Sequence, residues 1–147
     1  MTKSQHKHIA ILGGTGALGS GLALRWAQAG HHVTLGSRDS ERATEVAAKL
    51  SQQVSQKITG TSNEKAASDA ELVVITVPYA SHAATIDSVR DHLTGKVLID
   101  VTVPLKPPKV RTVQLPEGGS VAKALQANLG ESVKVVSAFQ NVAANHL

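Results

Sequence analysis

The sequence predicts an α/β fold of the doubly wound type, a parallel sheet of about six strands with helices on both faces. Three observations carry that reading. Short apolar runs alternate with helix-period segments along the whole chain, the pattern of right-handed strand-helix-strand units. The run over residues 72–77 is almost wholly apolar and rich in β-branched side chains, as suits a strand covered on both faces. A glycine-rich turn, residues 13–16, joins the first strand directly to the first helix.

Each element has a local reason. The apolar run 8–12 reads as the first strand, and residues 17–29 as a helix stopped by Gly30. A second strand follows at 33–35. Ser40 is a candidate N-cap, with Glu41 and Glu45 near the first turns of a helix reaching Leu50. A short third strand is expected around 57–59, and Ser62 or Asn63 would cap a brief helix. Strand four, 72–77, ends at Pro78. A helix over 82–92, a turn at Thr94-Gly95 and strand five over 97–101 come next. Residues 102–119 carry four of the five prolines and read as a long loop. The last elements are a helix over 121–129, stopped by Gly130, and strand six over 134–139.

Bulk properties narrow the function. A chain of 147 residues fits one domain, here 1–147, with no room for a second. The 41% hydrophobic fraction sets it apart from disordered chains, and no stretch has the ~20 apolar residues of a membrane span. Zero cysteines remove disulfides, thiolate catalysis and cysteine-bound zinc, and fit a reducing, cytoplasmic setting. The net charge of +4 favours anionic partners, but the basic residues are scattered, and one Trp, one Tyr and one Phe make no stacking platform for nucleic acid. Phosphate-rich small molecules are the expected partners.

Gly14-Thr15-Gly16-Ala17-Leu18-Gly19 matches G-x-G-x-x-G between a strand and a helix, the context in which that motif binds a dinucleotide in a Rossmann-type domain. The first glycine permits the turn, the second lets backbone approach the pyrophosphate, and the third packs helix on strand. The anion then rests on free amides at the positive end of a helix. About twenty residues on, where an NAD-binding domain places an acidic residue for the ribose, the chain reads Gly36-Ser37-Arg38. A hydroxyl and a guanidinium there favour a 2′-phosphate, hence NADP(H). Arg42 would add a second cation, and Asp39 is a ribose candidate.

The block from Ile11 to Gly19, then Gly21-Leu22-Ala23-Leu24-Arg25 and Leu35-Gly36-Ser37-Arg38, closely resembles the NADPH-dependent reductases of the 8-hydroxy-5-deazaflavin coenzyme F-420. Thr76-Val77-Pro78-Tyr79, Val103-Pro104 and Val135-Val136-Ser137-Ala138-Phe139 extend the likeness over almost the whole chain. The resemblance implies an oxidoreductase moving hydride between C4 of the nicotinamide and C5 of the deazaflavin, with the cofactors supplying the chemistry and the protein aligning two rings. It implies that Thr76, Val77 and Pro78 meet the nicotinamide half, and that Val103, Pro104 and Ala138 line the ring pocket. Two departures accompany it. The family continues into a C-terminal helical segment that helps form the deazaflavin site and a homodimer, whereas this chain stops at Leu147. Where the family often has a histidine, Gln140-Asn141 stands, able to hydrogen-bond but not to titrate.

Two other functions share these residues: a module that binds or senses NADP(H) without turning it over, and an NADPH reductase of another acceptor, such as an imine or a metal ion. His6, His8, His31 and His32 have no cysteine or carboxylate cluster to complete a metal ligand set, so they read as surface or junction residues. His82 is the histidine placed to contact a ligand. Asp100 reads as an acceptor for loop backbone, and Lys106, Lys109 and Arg111 as a solvated loop face.

Overall fold

The computed structural model describes residues 5–104, 115–117 and 119–147. Among these residues six strands and five α-helices alternate: β1 (His8–Leu12), α1 (Ala17–Gln28), β2 (His32–Ser37), α2 (Ser40–Ser51), β3 (Thr59–Ser62), α3 (Asn63–Asp69), β4 (Leu72–Ile75), α4 (Tyr79–Val89), β5 (Val97–Asp100), α5 (Val121–Leu129) and β6 (Lys134–Ser137). A single 3-10 turn, Arg90–His92, extends α4, and another, Ala144–His146, lies near the end of the chain. Every strand pairing is parallel and the order is β3-β2-β1-β4-β5-β6. The expected doubly wound sheet is therefore the observed one.

Alternation along β1 sets the two layers. Ile9 and Ile11 face one side, where Leu22, Ala23 and Ala27 of α1 and Ala47 and Leu50 of α2 cover them. Ala10 and Leu12 face the other, against Ala66 and Ala67 of α3, Ile86 of α4 and Leu125 of α5. Ile11, Leu12, Leu35, Ile75 and Leu98 are fully buried, each side chain contributing about 1.5–3 kcal/mol by leaving water. Two-sided burial explains why the central strands read as unbroken apolar runs.

Several boundaries differ from the sequence reading. The N-cap of α2 is Asp39, not Ser40: Asp39 Oδ1 accepts from Arg42 N at 3.0 Å. β3 begins at Thr59 instead of Lys57, because Ser51 Oγ takes both the amide and the carbonyl of Ile58 and ties that residue to the end of α2. β4 stops at Ile75, and α4 starts at Tyr79, three residues early, with Pro78 as its N-cap in extended geometry. β6 ends at Ser137, and Phe139 beyond it has φ 65°. Lys106, Lys109 and Arg111 lie outside the described residues, as does most of the proline-rich stretch.

The strand order reverses between β1 and β4, whose connections leave in opposite directions. A crevice opens there at the carboxyl ends of the strands, the place where sheets of this kind receive ligands.

Candidate functional site

The crevice is a cleft of about 590 Å³, within the range of small-molecule sites. One end is the glycine turn, with Gly13, Thr15 and Gly16; the other is Ser37, Arg38, Asp39 and Arg42; Thr76, Val77 and Pro78 form the far wall.

The glycines divide by what surrounds them. Gly13 has φ +70°, and a Cβ on it would stand 2.5 Å from Val77 Cγ1. On Gly14 a Cβ would meet Ile11 O at 2.7 Å, and on Gly19 it would meet Gly14 Cα at 2.7 Å, so both are glycine for the packing of turn and helix on strand. Gly16 is different. Its φ of −78° is open to any residue, and the nearest atom to a Cβ there is Gly13 O at 3.8 Å. Among the described residues nothing stands close enough to require glycine at 16, and its exposed backbone borders the cleft. No side chain caps α1, so the amides opening the helix, at Ala17, Leu18 and Gly19, are left for an anion. The nucleotide cofactor thus fits the cradle.

At the other end, Ser37 is 9% exposed and its Oγ accepts from Asp39 N at 3.1 Å. With that lone pair engaged, the hydroxyl proton is left to donate into the cleft. Arg38 and Arg42 are exposed, and among the described residues neither guanidinium is paired with a carboxylate. Asp39, the ribose candidate, is engaged as the cap of α2. On the far wall, the Thr76 hydroxyl bonds Leu12 O at 2.9 Å and Gly13 O at 3.1 Å, so it lines the cleft while locking β4 to the turn.

Val103 and Pro104 lie apart from this cleft, around a smaller hollow of about 210 Å³ with Ser137 and Gln140. Ala138, expected beside them, is not among the residues around this hollow; its amide donates to Asp100 O at 3.2 Å and fixes it to the end of β5. Gln140, at the place of the family's histidine, has its amide nitrogen engaged by Asp100 O at 2.9 Å and Ser137 Oγ at 2.7 Å. His82, the ligand candidate, is 8% exposed and pairs through Nε2 with Asp100 Oδ2 at 2.8 Å. Asp100 also accepts from Thr102 N at 2.8 Å, the backbone bond expected of it. Burial alone would raise the Asp100 carboxyl, but the hydrogen bonds from His82 and Thr102 outweigh it and hold it below the usual carboxylate range. Sequence reasoning missed Asn63, Ser81 and Thr85, which border the cleft: each is a single polar residue, with no motif around it to single it out.

A 3-2-1-4-5-6 parallel sheet with a glycine turn at its switch point defines a Rossmann domain of the dinucleotide-binding class. The chain belongs to the family described as NADP oxidoreductase, coenzyme F420-dependent, whose pattern matches residues 8–104. An F420-dependent NADP reductase of Methanocaldococcus jannaschii is 42% identical over 142 residues, covering 91% of this chain and 63% of that protein. One from Methanothermobacter marburgensis is 40% identical over 146 residues, covering 95% and 65%. A crystal structure from Arthrobacter sp. FB24, described as an F420-dependent NADP-reductase, superposes with a TM-score of 0.75 at 30% identity, over 93% of this chain and 64% of that one. The chain spans less than two thirds of the length of these relatives.

Proposed function

We propose that this chain is an NADP-dependent oxidoreductase that moves hydride between NADP(H) and a deazaflavin coenzyme of the F420 type. The observation that carries the cofactor half is the pairing of two anion seats in one cleft: the open backbone at Gly16 and the Ser37-Arg38-Arg42 group. No carboxylate occupies the end of β2 to repel a 2′-phosphate, and Asp39 just beyond is turned to its own helix. In this reading Gly14 and Gly19 shape the turn, the amides of Ala17 and Leu18 face the pyrophosphate while that of Gly16 stays on Gly13 O, and Thr76, Val77 and Pro78 flank the nicotinamide half. The acceptor half draws on the family membership and on the hollow beside Val103 and Pro104. NADP(H) supplies the hydride. The chain's own residues orient the two rings and need no nucleophile or metal for that.

Mixing the protein with NADPH and the oxidised deazaflavin should bleach the deazaflavin absorbance. If NADPH binds tightly but no absorbance is lost, the second reading, a binding module, holds instead. Oxidation of NADPH by an imine or a metal ion alone would move the assignment to another acceptor. A cytoplasmic location and a homo-oligomer belong to the same proposal.

A further inference from the structure

Asn63 is 4% exposed, begins α3, and borders both the cleft and an adjoining hollow of about 410 Å³ that also touches Arg38, Ser81 and Thr85. Its Oδ1 accepts from Gly13 N at 3.4 Å and lies against Gly36, where a Cβ would come within 2.8 Å of it. The carboxamide therefore wedges between the glycine turn and the end of β2. Its orientation follows from chemistry. A flipped amide would present its NH2 to the Gly13 N–H, donor against donor, so the oxygen stays on the turn and Nδ2 points away.

Among the described residues that nitrogen has no hydrogen-bond partner, yet the one buried side-chain polar atom without a partner is Thr102 Oγ1. Nδ2 is therefore accessible, and the spaces Asn63 borders are the cleft and its extension. A polar residue this buried, with one end fixed and a two-proton donor opening onto a cleft built for an anion, is matched by an acceptor oxygen on the ligand.

We propose that Asn63 is a cofactor-binding and positioning residue: Nδ2 donates to a ribose or phosphate oxygen on the adenosine half of NADP(H), while Oδ1 holds the glycine turn. The assignment rests on the cofactor reading above. It makes the two anion seats interdependent, because one side chain braces the turn that holds the pyrophosphate and reaches the nucleotide beside Arg38.

Asn63→Asp keeps an oxygen for Gly13 N and exchanges the donor for an acceptor. Burial of the carboxylate should lower its melting temperature, and at a temperature where circular dichroism shows it folded it should bind NADPH about tenfold or more weaker. In the wild-type protein, the ¹H–¹⁵N signals of the Asn63 side-chain NH2, assigned by their absence in Asn63→Asp, should shift on saturation with adenosine 2′,5′-bisphosphate. This second readout needs no variant to bind and separates a lost donor from an added charge. Equal NADPH affinity in wild type and Asn63→Asp, or amide signals unmoved at saturation, would overturn the inference while leaving the cofactor reading intact. Failure of the wild type to bind NADPH would overturn both.

Discussion

His82 Nε2 donates to Asp100 Oδ2 across 2.8 Å, joining the start of α4 to the end of β5 behind the cleft. The two side chains are 10% and 2% exposed, and the second Asp100 oxygen fixes the amide of Thr102. One carboxylate thus couples the helix that follows Pro78 to the loop carrying Val103 and Pro104. The hydrogen bonds from His82 and Thr102, more than burial, set its charge.

Removing either partner should destabilise the fold, and unequally. Asp100→Ala orphans both the His82 ring and the Thr102 amide, so about 3–5 kcal/mol is expected from denaturant unfolding. His82→Ala leaves the Thr102 bond to the carboxylate and should lose less. Because the folded-state pKa of Asp100 is depressed, its contribution is present above the ordinary carboxylate pKa and is lost as pH falls through the lower folded value. Asp100→Asn should therefore weaken the acid limb of the stability curve. An acid limb unchanged in Asp100→Asn would mean that other carboxylates set it.

A second pH effect sits at the opposite end of the sheet. His8 stacks on His32 with ring centroids 4.3 Å apart and an interplanar angle of 5°, and its Nε2 is 2.9 Å from Thr34 Oγ1. Burial first, and the His32 charge second, lower the His8 pKa from its ordinary 6.5, against the opposing pull of Asp69 and Glu71. The unfolded chain then binds more protons than the folded one between the two pKa values. Stability from this site is full above pH 6.5 and falls as pH drops through the folded value. Unfolding midpoints measured from about pH 7 to pH 5 should decline in the wild type and decline less in His8→Gln. A steeper decline in the variant would reverse the sign argued here.

The proposed role of Arg38 is cofactor choice. A charge-assisted contact to the 2′-phosphate is worth about 1.5–3 kcal/mol, a factor of roughly 10–100 in affinity. Arg38→Asp should erase that advantage and add repulsion, so NADPH binding followed by nicotinamide fluorescence should weaken far more than NADH binding. Ser37→Ala should remove a smaller share, since its loss is one neutral donor. If Arg38→Asp left the NADPH to NADH ratio unchanged, the anion seat at the end of β2 would be misplaced.

How much of this could be read from the letters depends on whether the signal was repeated or single. β1, α1 and the turn between them emerge directly, because Ile9 to Leu12 is an uninterrupted buried run closed by glycines with steric reasons. The ends of α2 and β3 do not: Asp39 and Ser40 are both good caps, and the choice depends on where Ser37 leaves the strand. β3 shifts because one hydroxyl, Ser51, captures Ile58 across seven residues. The position of Ser37 and Arg38 on the cleft was legible through their distance from the glycine motif. Asn63 was legible only as a helix cap, and that role belongs to Ser62, whose Oγ accepts from Lys65 N. The His82–Asp100 pair joins positions eighteen residues apart, and no spacing rule links a helix start to the strand after it.

The two glycines at the ends of the G-x-G triplet should separate stability from binding. Gly14→Ala drives a Cβ to 2.7 Å from Ile11 O and 2.8 Å from Leu35 Cδ2, so backbone must move and a loss of about 1–3 kcal/mol is expected. Gly16→Ala finds Gly13 O no nearer than 3.8 Å and has a φ open to any residue, and the entropy gained from a stiffer unfolded chain is offset by the poorer N-cap, so its stability should stay within about 1 kcal/mol of the wild type. The same methyl projects from exposed backbone where the pyrophosphate would lie, and NADPH affinity should drop while the melting temperature does not. Thermal melts and NADPH titrations on the two variants give the crossed result directly. A Gly16→Ala protein that melts normally and still binds NADPH as tightly as the wild type would show that no phosphate approaches this turn.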